Sequence, residues 1–229
     1  MPRVRLVTGY VRLDAYRSHE RYVELGNRLL SLPLPITLFA DSPDFSPGPT
    51  VEVRPAGELW LHRMVGDATP ILPQTDRPEK DTLAYHAVQH QKTAWLEAAG
   101  RDHPADLLLW VDLGLLHVRG VTLPGIARMA GLAEHLPSDV VTLASIWGPP
   151  VDEVDPGRIA WWCAGGVAAC GARAAWWWNV ACHGAASTLM RMSNRVTFEV
   201  NTWAAVWRAN PEWFRCYPAD HDASILEVA

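Results

Sequence analysis

The sequence predicts an α/β fold with a mostly parallel central sheet flanked by helices. Three observations carry this. Residues 107–111, Leu-Leu-Leu-Trp-Val, form an unbroken apolar run that stops at Asp112, the pattern of a strand buried on both faces. The first half alternates strand, helix and strand with turn residues between them, which favours parallel pairing across helical crossovers. The 229 residues, 49% hydrophobic and 20% charged, have a globular composition and enough length for a sizeable core. A single domain over 1–229 is expected.

Residues 3–10 read as the first strand. A helix is predicted over 16–32, where Tyr22, Leu25, Leu29 and Leu30 recur at helical spacing and Pro33 and Pro35 end it. Residues 36–40 form a second strand ending at Asp41, followed by the turn residues Ser42, Pro43 and Asp44. Residues 51–54 make a third strand, at an edge. The segment 57–80 lacks a sustained period and reads as a long loop or an irregular helical excursion. Residues 81–99 give the clearest helix: Asp81 caps it, Ala84, Val88, Gln91, Trp95 and Ala98 trace a stripe, and Gly100 fits its C-cap. After the strand 107–111 come a helix over 122–136 and a strand over 140–146. A turn-rich acidic loop spans 148–156. A further strand covers 161–170, bent or drawn close to a ligand at Gly165 and Gly166. Helices over 172–192 and 199–208 follow, and the tail 216–226 reads as a polar loop with a short apolar end.

The net charge of −5 leaves no broad basic field, so extended contact with nucleic acid or anionic lipid is not expected. The N-terminus lacks the apolar core of about 7–15 residues of a secretory signal. No stretch approaches the roughly 20 apolar residues of a membrane helix, and a cytoplasmic location is expected. The four cysteines form no C-x-x-C pair and are expected to be reduced and partly buried. A zinc site from Cys163, Cys170, Cys182 and His183 fits no common structural spacing. Of the twelve tryptophans, eight cluster late in the chain, from Trp161 to Trp213, as bulky core or as stacking faces for sugars or bases. Trp176, Trp177 and Trp178 cannot all face one way, so at least one is expected at the surface.

A carboxylate where a parallel strand ends lies at the carboxyl edge of the sheet, where open α/β folds bind ligands. Asp112 is therefore the first functional candidate. The order VTGY, LPITLFAD, YHAVQHQKTAWLEAA, LLLWVDLGLL, AGGVAACG and EVNTWAAVWRANPEWFRCYPADHD resembles the GT-A glycosyltransferases. The resemblance is greatest to the bacterial HtrL/YibB-type (WlaTC/HtrL) family.

That resemblance implies a GT-A-like, Rossmann-like domain. Residues 1–120 would be its nucleotide-sugar-binding half and 121–229 its acceptor-side half. It implies a transferase moving a sugar from a nucleotide sugar, foremost a UDP-sugar, to a hydroxyl of a glycan, lipid-linked sugar, small molecule or modified nucleic acid. Mn²⁺ or Mg²⁺ would hold the diphosphate and stabilise its departure. Thr8, Gly9 and Tyr10 would meet the base, Asp41 the base or ribose, and Lys92 the phosphates. Asp112 matches the first position of the Asp-x-Asp motif, but Asp112-Leu113-Gly114 lacks the second carboxylate. His221 or Asp222 would complete the metal site. Gly165 and Gly166, beside Trp161 and Trp162, would meet the sugar. An inverting reaction needs a general base, for which Glu199, Asp152 and Glu153 are candidates. Inversion and retention both remain open.

Each candidate also has a plain structural role. Lys92 suits a solvent-facing charge, Tyr10 a packed aromatic, Asp41 a turn with Ser42 and Pro43, and the ADHD segment a solvated turn. Two other functions compete. One is a non-catalytic carbohydrate- or nucleotide-binding module. The other is a metal-dependent hydrolase built on Asp112, His221 and Asp222.

Overall fold

A computed structural model describes residues 3–13, 18–150 and 155–228. Strands β1 (Val4–Tyr10), β2 (Ile36–Ala40), β3 (Val51–Pro55), β4 (Leu107–Val111), β5 (Val141–Ser145), β6 (Cys163–Gly171) and β7 (Phe214–Pro218) form one sheet, in the order β3-β2-β1-β4-β6-β5-β7. Only β6 runs against its neighbours β4 and β5; the other pairs are parallel. The helices are α1 (His19–Leu30), α2 (Trp60–Val65), α3 (Leu83–Asp102), α4 (Leu123–Ala133), α5 (Ala172–Ser193) and α6 (Glu199–Ala209). The fold is the predicted α/β arrangement, a mostly parallel central sheet flanked by helices.

Alternation along the strands splits the core in two. Val7, Leu108 and Trp110 join the cluster that holds Trp60, Trp95, Trp178 and Trp203, from α2, α3, α5 and α6. Leu6, Leu107 and Leu109 join the cluster that holds Leu29 of α1 and Ile126 of α4. A sheet covered on both faces wants strands that are apolar throughout, and all five residues of β2 and of β4 are buried.

Several boundaries differ from expectation. Thr82, not Asp81, caps α3, its hydroxyl accepting from Tyr85 N–H. The Asp81 carboxylate instead accepts from Thr75, from both its backbone N–H and its hydroxyl. Gly100 is not a C-cap but lies inside α3, where an added Cβ would sit 2.9 Å from Ala172 Cα. It is there for close helix packing. The tail is not all loop: Phe214–Pro218 pairs with β5 along the sheet edge. The segment 57–80 contains α2. Trp176 is 56% exposed and Trp178 is fully buried, so the three-tryptophan run divides as helical geometry requires. The four cysteines are free thiols. Among the described residues no helix is long and apolar enough to cross a membrane, and no three His, Cys, Asp or Glu are grouped to hold a metal, zinc included.

Candidate functional site

The chain leaves β1 for β2 on one side and later places β4 on the other. The crevice between β1 and β4 is therefore the topological switch point, where open α/β sheets bind ligands at the carboxyl ends of their strands. A hollow of about 120 Å³ lies there. Gly9 and Tyr10 of β1 and the following Val11 border it on one side, and Trp110 of β4 and Asp112 just past its end on the other. Tyr85, Val88, Gln89, Lys92 and Trp95 border it from α3, spaced as one helical stripe. Leu13, Tyr22, Leu113, Gly114 and His117 complete the wall, and Asp112 is the one carboxylate among the described residues that line it.

Strand alternation puts Trp110 and Asp112 on the same face, and Trp110 Nε1 donates to Asp112 Oδ1 at 2.8 Å. The Trp110 indole lies nearly parallel to that of Trp95, with centroids 6.0 Å apart, and Phe39 stacks on the far side of Trp95 at 5.9 Å. Asp112 N–H donates to Gly166 O at 2.9 Å, which fixes the strand end against β6. The turn closes immediately, with Leu115 N–H donating to Asp112 O at 2.8 Å.

Beneath Asp112 lies a buried charge cluster. Lys92 is only 3% exposed. Its ammonium donates to Gly165 O at 3.0 Å, to Glu199 Oε1 at 3.1 Å and to Asp112, whose Oδ1 is 3.2 Å and Oδ2 3.4 Å away. Burial opposes the charge on Lys92, but Asp112 and Glu199 together outweigh it and hold the ammonium above its ordinary value. Burial likewise favours a neutral Glu199, yet Lys92 outweighs it and holds that carboxyl below its ordinary value. The two groups stay ionised as a pair. The Asp112 side chain alone keeps substantial exposure, 34%.

The predicted residues divide sharply. Asp112, Lys92, Gly9 and Tyr10 meet at the hollow. Lys92 is not a solvent-facing charge, and it has no N–H left for a phosphate. The absence of a side chain at Gly9 makes room for Trp95, whose ring would lie 2.3 Å from an added Cβ. Tyr10 is a packed aromatic, enclosed by Tyr22, Phe45 and His19. Its hydroxyl bonds His19 Nδ1 at 2.8 Å, and His19 Nε2 bonds Asp44 at 2.7 Å. Burial, then Asp41, push the Tyr10 phenol up to about 12.

The others are corrected. Thr8 is fully buried within β1 and does not line this hollow. Asp41 accepts two hydrogen bonds from Arg12 N–H and so ties down the segment after β1. Glu199 is 6% exposed and lies under Gly165, where an added Cβ would meet Oε1 at 2.5 Å. It is a counter-ion, out of reach of any acceptor, and cannot act as the general base. Trp162 is 2% exposed with Nε1 donating to Val200 O, so it offers no face to a sugar. Gly166 supports Asp112 through its carbonyl. His221 packs edge-on against Trp161 at 4.4 Å, and Asp222 caps a short turn through Ser224. Both line a separate hollow with Arg119, so neither joins Asp112. Asp152 and Glu153 lie outside the described residues. Sequence reading missed Tyr22, Tyr85, Gln89, Trp95, Trp110 and His117. The signals were present: Trp110 is two residues before Asp112, and the α3 residues share one stripe with Lys92.

A divalent cation does not fit the cluster as it stands. Mg²⁺ and Mn²⁺ want about six oxygen ligands. The oxygens at hand already surround the Lys92 ammonium. What the hollow offers is a ring-sized space beside Trp95 and Trp110, each only 2% exposed, with the partly open Asp112 carboxylate as acceptor. A larger groove of about 1040 Å³ runs between α5 and α6, but it gathers none of the predicted residues.

No protein-family model and no curated protein matches the chain, so the resemblance to the HtrL/YibB-type family gains no support there. Among solved structures, the crystal structure of 4-diphosphocytidyl-2C-methyl-D-erythritol synthase is similar at 14% identity, over 97% of this chain and 91% of that one. Its TM-score is 0.43, a likeness too slight to argue from.

Proposed function

We propose that this chain is a nucleotide-dependent group transferase that binds an activated donor at the β1/β4 hollow, and in its finer form a glycosyltransferase using a nucleotide sugar. The carrying observation is the position of Asp112: a partly open carboxylate at the switch point. The volume, about 120 Å³, suits one ring, so the rest of the donor would lie along the sheet edge. A ring or ribose hydroxyl would donate to the Asp112 carboxylate. The lining residues all fall within 9–117, in keeping with a donor-side half and an acceptor-side half over 121–229.

A thermal-shift screen of UDP-, GDP-, CMP- and dTDP-sugars tests this, with UDP-sugars first. Binding to the native state raises apparent stability by RT ln(1 + [L]/Kd). One nucleotide class should stand out, and Asp112→Ala should abolish its shift. No shift from any of them would refute the proposal.

A second reading, a non-catalytic binding module, is favoured by one observation. With Glu199 sealed away, the hollow has no second carboxylate among the described residues. Release of free nucleotide from the bound donor separates the two: the transferase produces it, and the module shifts in melting temperature without turnover.

A further inference from the structure

The Lys92 ammonium has the surroundings of a metal ion. Four oxygens lie within 3.4 Å of it: Gly165 O, Glu199 Oε1 and both oxygens of Asp112. Carboxylates and a backbone carbonyl are the donor set of a hard cation. The groups converge from three directions, since Gly165 belongs to β6, Glu199 opens α6 and Asp112 ends β4. The side chain that fills the cage enters from α3 and leaves almost no surface exposed. Gly114 lies against Tyr22, whose ring an added Cβ would approach to 3.1 Å.

We propose that Lys92 is the resident cation of this site, filling an oxygen cage that would otherwise take a divalent metal, so that donor binding at the Asp112 hollow needs none. The inference rests on the donor-site reading above. It predicts that the cage becomes a metal site once the ammonium is removed. Asp112, Glu199 and the Gly165 carbonyl are then left as unpaired oxygens around a vacated centre, and a divalent cation supplies the missing charge.

The test has two arms. With wild-type protein, the Kd of the nucleotide sugar found by the screen should agree within about twofold in EDTA and in Mn²⁺, while the electron paramagnetic resonance signal of Mn²⁺ alone should show no bound ion. In the second arm, Lys92→Gly should be destabilised and then regain melting temperature on adding Mn²⁺ or Ca²⁺, by at least about 3 °C, with no such rise in wild type. Should Lys92→Gly not fold even with metal, the wild-type arm decides alone. Donor binding that vanishes in EDTA and returns with Mn²⁺ would overturn the inference while leaving the donor site intact. Absence of nucleotide binding under both conditions would instead remove the donor reading. The inference would then stand or fall on whether Mn²⁺ binds wild type.

Discussion

β4 and β6 are neighbours in the sheet, and both are almost wholly buried, yet they fill the interior in opposite ways. β4 is Leu-Leu-Leu-Trp-Val: the strand is bulky and brings its own volume. β6 is Cys-Ala-Gly-Gly-Val-Ala-Ala-Cys-Gly: the strand is thin and its surroundings are large, with Trp162, Trp178 and Trp203 in the same core. Its glycines mark where neighbours press closest. An added Cβ would meet Leu115 from Gly166 at 2.9 Å, and the Ser138 carbonyl oxygen from Gly171 at 2.5 Å. The lesson concerns complementary size. A bulky strand can be recognised from its own residues, while a thin one is defined by what packs on it. Lys92 ties the two together, through Asp112 at the end of β4 and Gly165 in β6.

The largest test of that tie is Lys92→Met. It leaves Glu199 buried with no counter-charge, which costs about 3–5 kcal/mol, read as a fall in the denaturation midpoint at unchanged slope. A loss under about 1 kcal/mol would mean the tie is incidental.

Next is pH. His86, on α3, is fully buried with neither ring nitrogen bonded. Burial, then His90, push its imidazole down to about 4. Its folded value lies below its unfolded one, so between roughly pH 6.5 and 4 the unfolded chain binds the proton and the folded chain does not. Stability is therefore present above that window and is lost as pH falls through it, by an amount on the order of 1.4 kcal/mol per pKa unit. His86→Phe should flatten this slope in a melting series; an unchanged slope would assign it to other groups.

Two glycines, one in the thin strand and one in the helix that follows it, then compare a packed site with an open one. Gly171→Ala must displace backbone, not a flexible side chain, and should cost about 1–3 kcal/mol. Gly184, on the exposed side of α5, has nothing within 4 Å of an added Cβ. There Gly→Ala should stabilise by about 0.5–1 kcal/mol through helix propensity alone. Equal effects at the two sites would refute the contrast between packed and open glycines.

The same contrast explains what could be read in advance. β2 and β4 have the expected bounds because their apolar runs end at aspartates. Asp112 was legible for the same reason. β7 was not: Phe214–Pro218 carries Arg215 and Pro218 and has little apolar pattern of its own, and its parallel pairing with β5 makes it a strand. Glu199 looked like a free acid because its partner is 107 positions away in the chain. Local spacing carries no trace of such a contact. Trp162 looked like a platform beside the glycines, but its indole N–H is spent on Val200 O at 2.6 Å. Residue type announced an aromatic there and left its direction to the packing of α6.

The hollow draws its lining from residues 9–117 alone, yet its carboxylate hangs from the Gly166 carbonyl, and its lysine is moored to Gly165 and Glu199. Any sideways slip of the late antiparallel strand would therefore tug on both charged groups at once. The two halves of the chain, already joined along the β4–β6 ladder, are geared together at this point as well, and a disturbance in one registers as altered grip in the other.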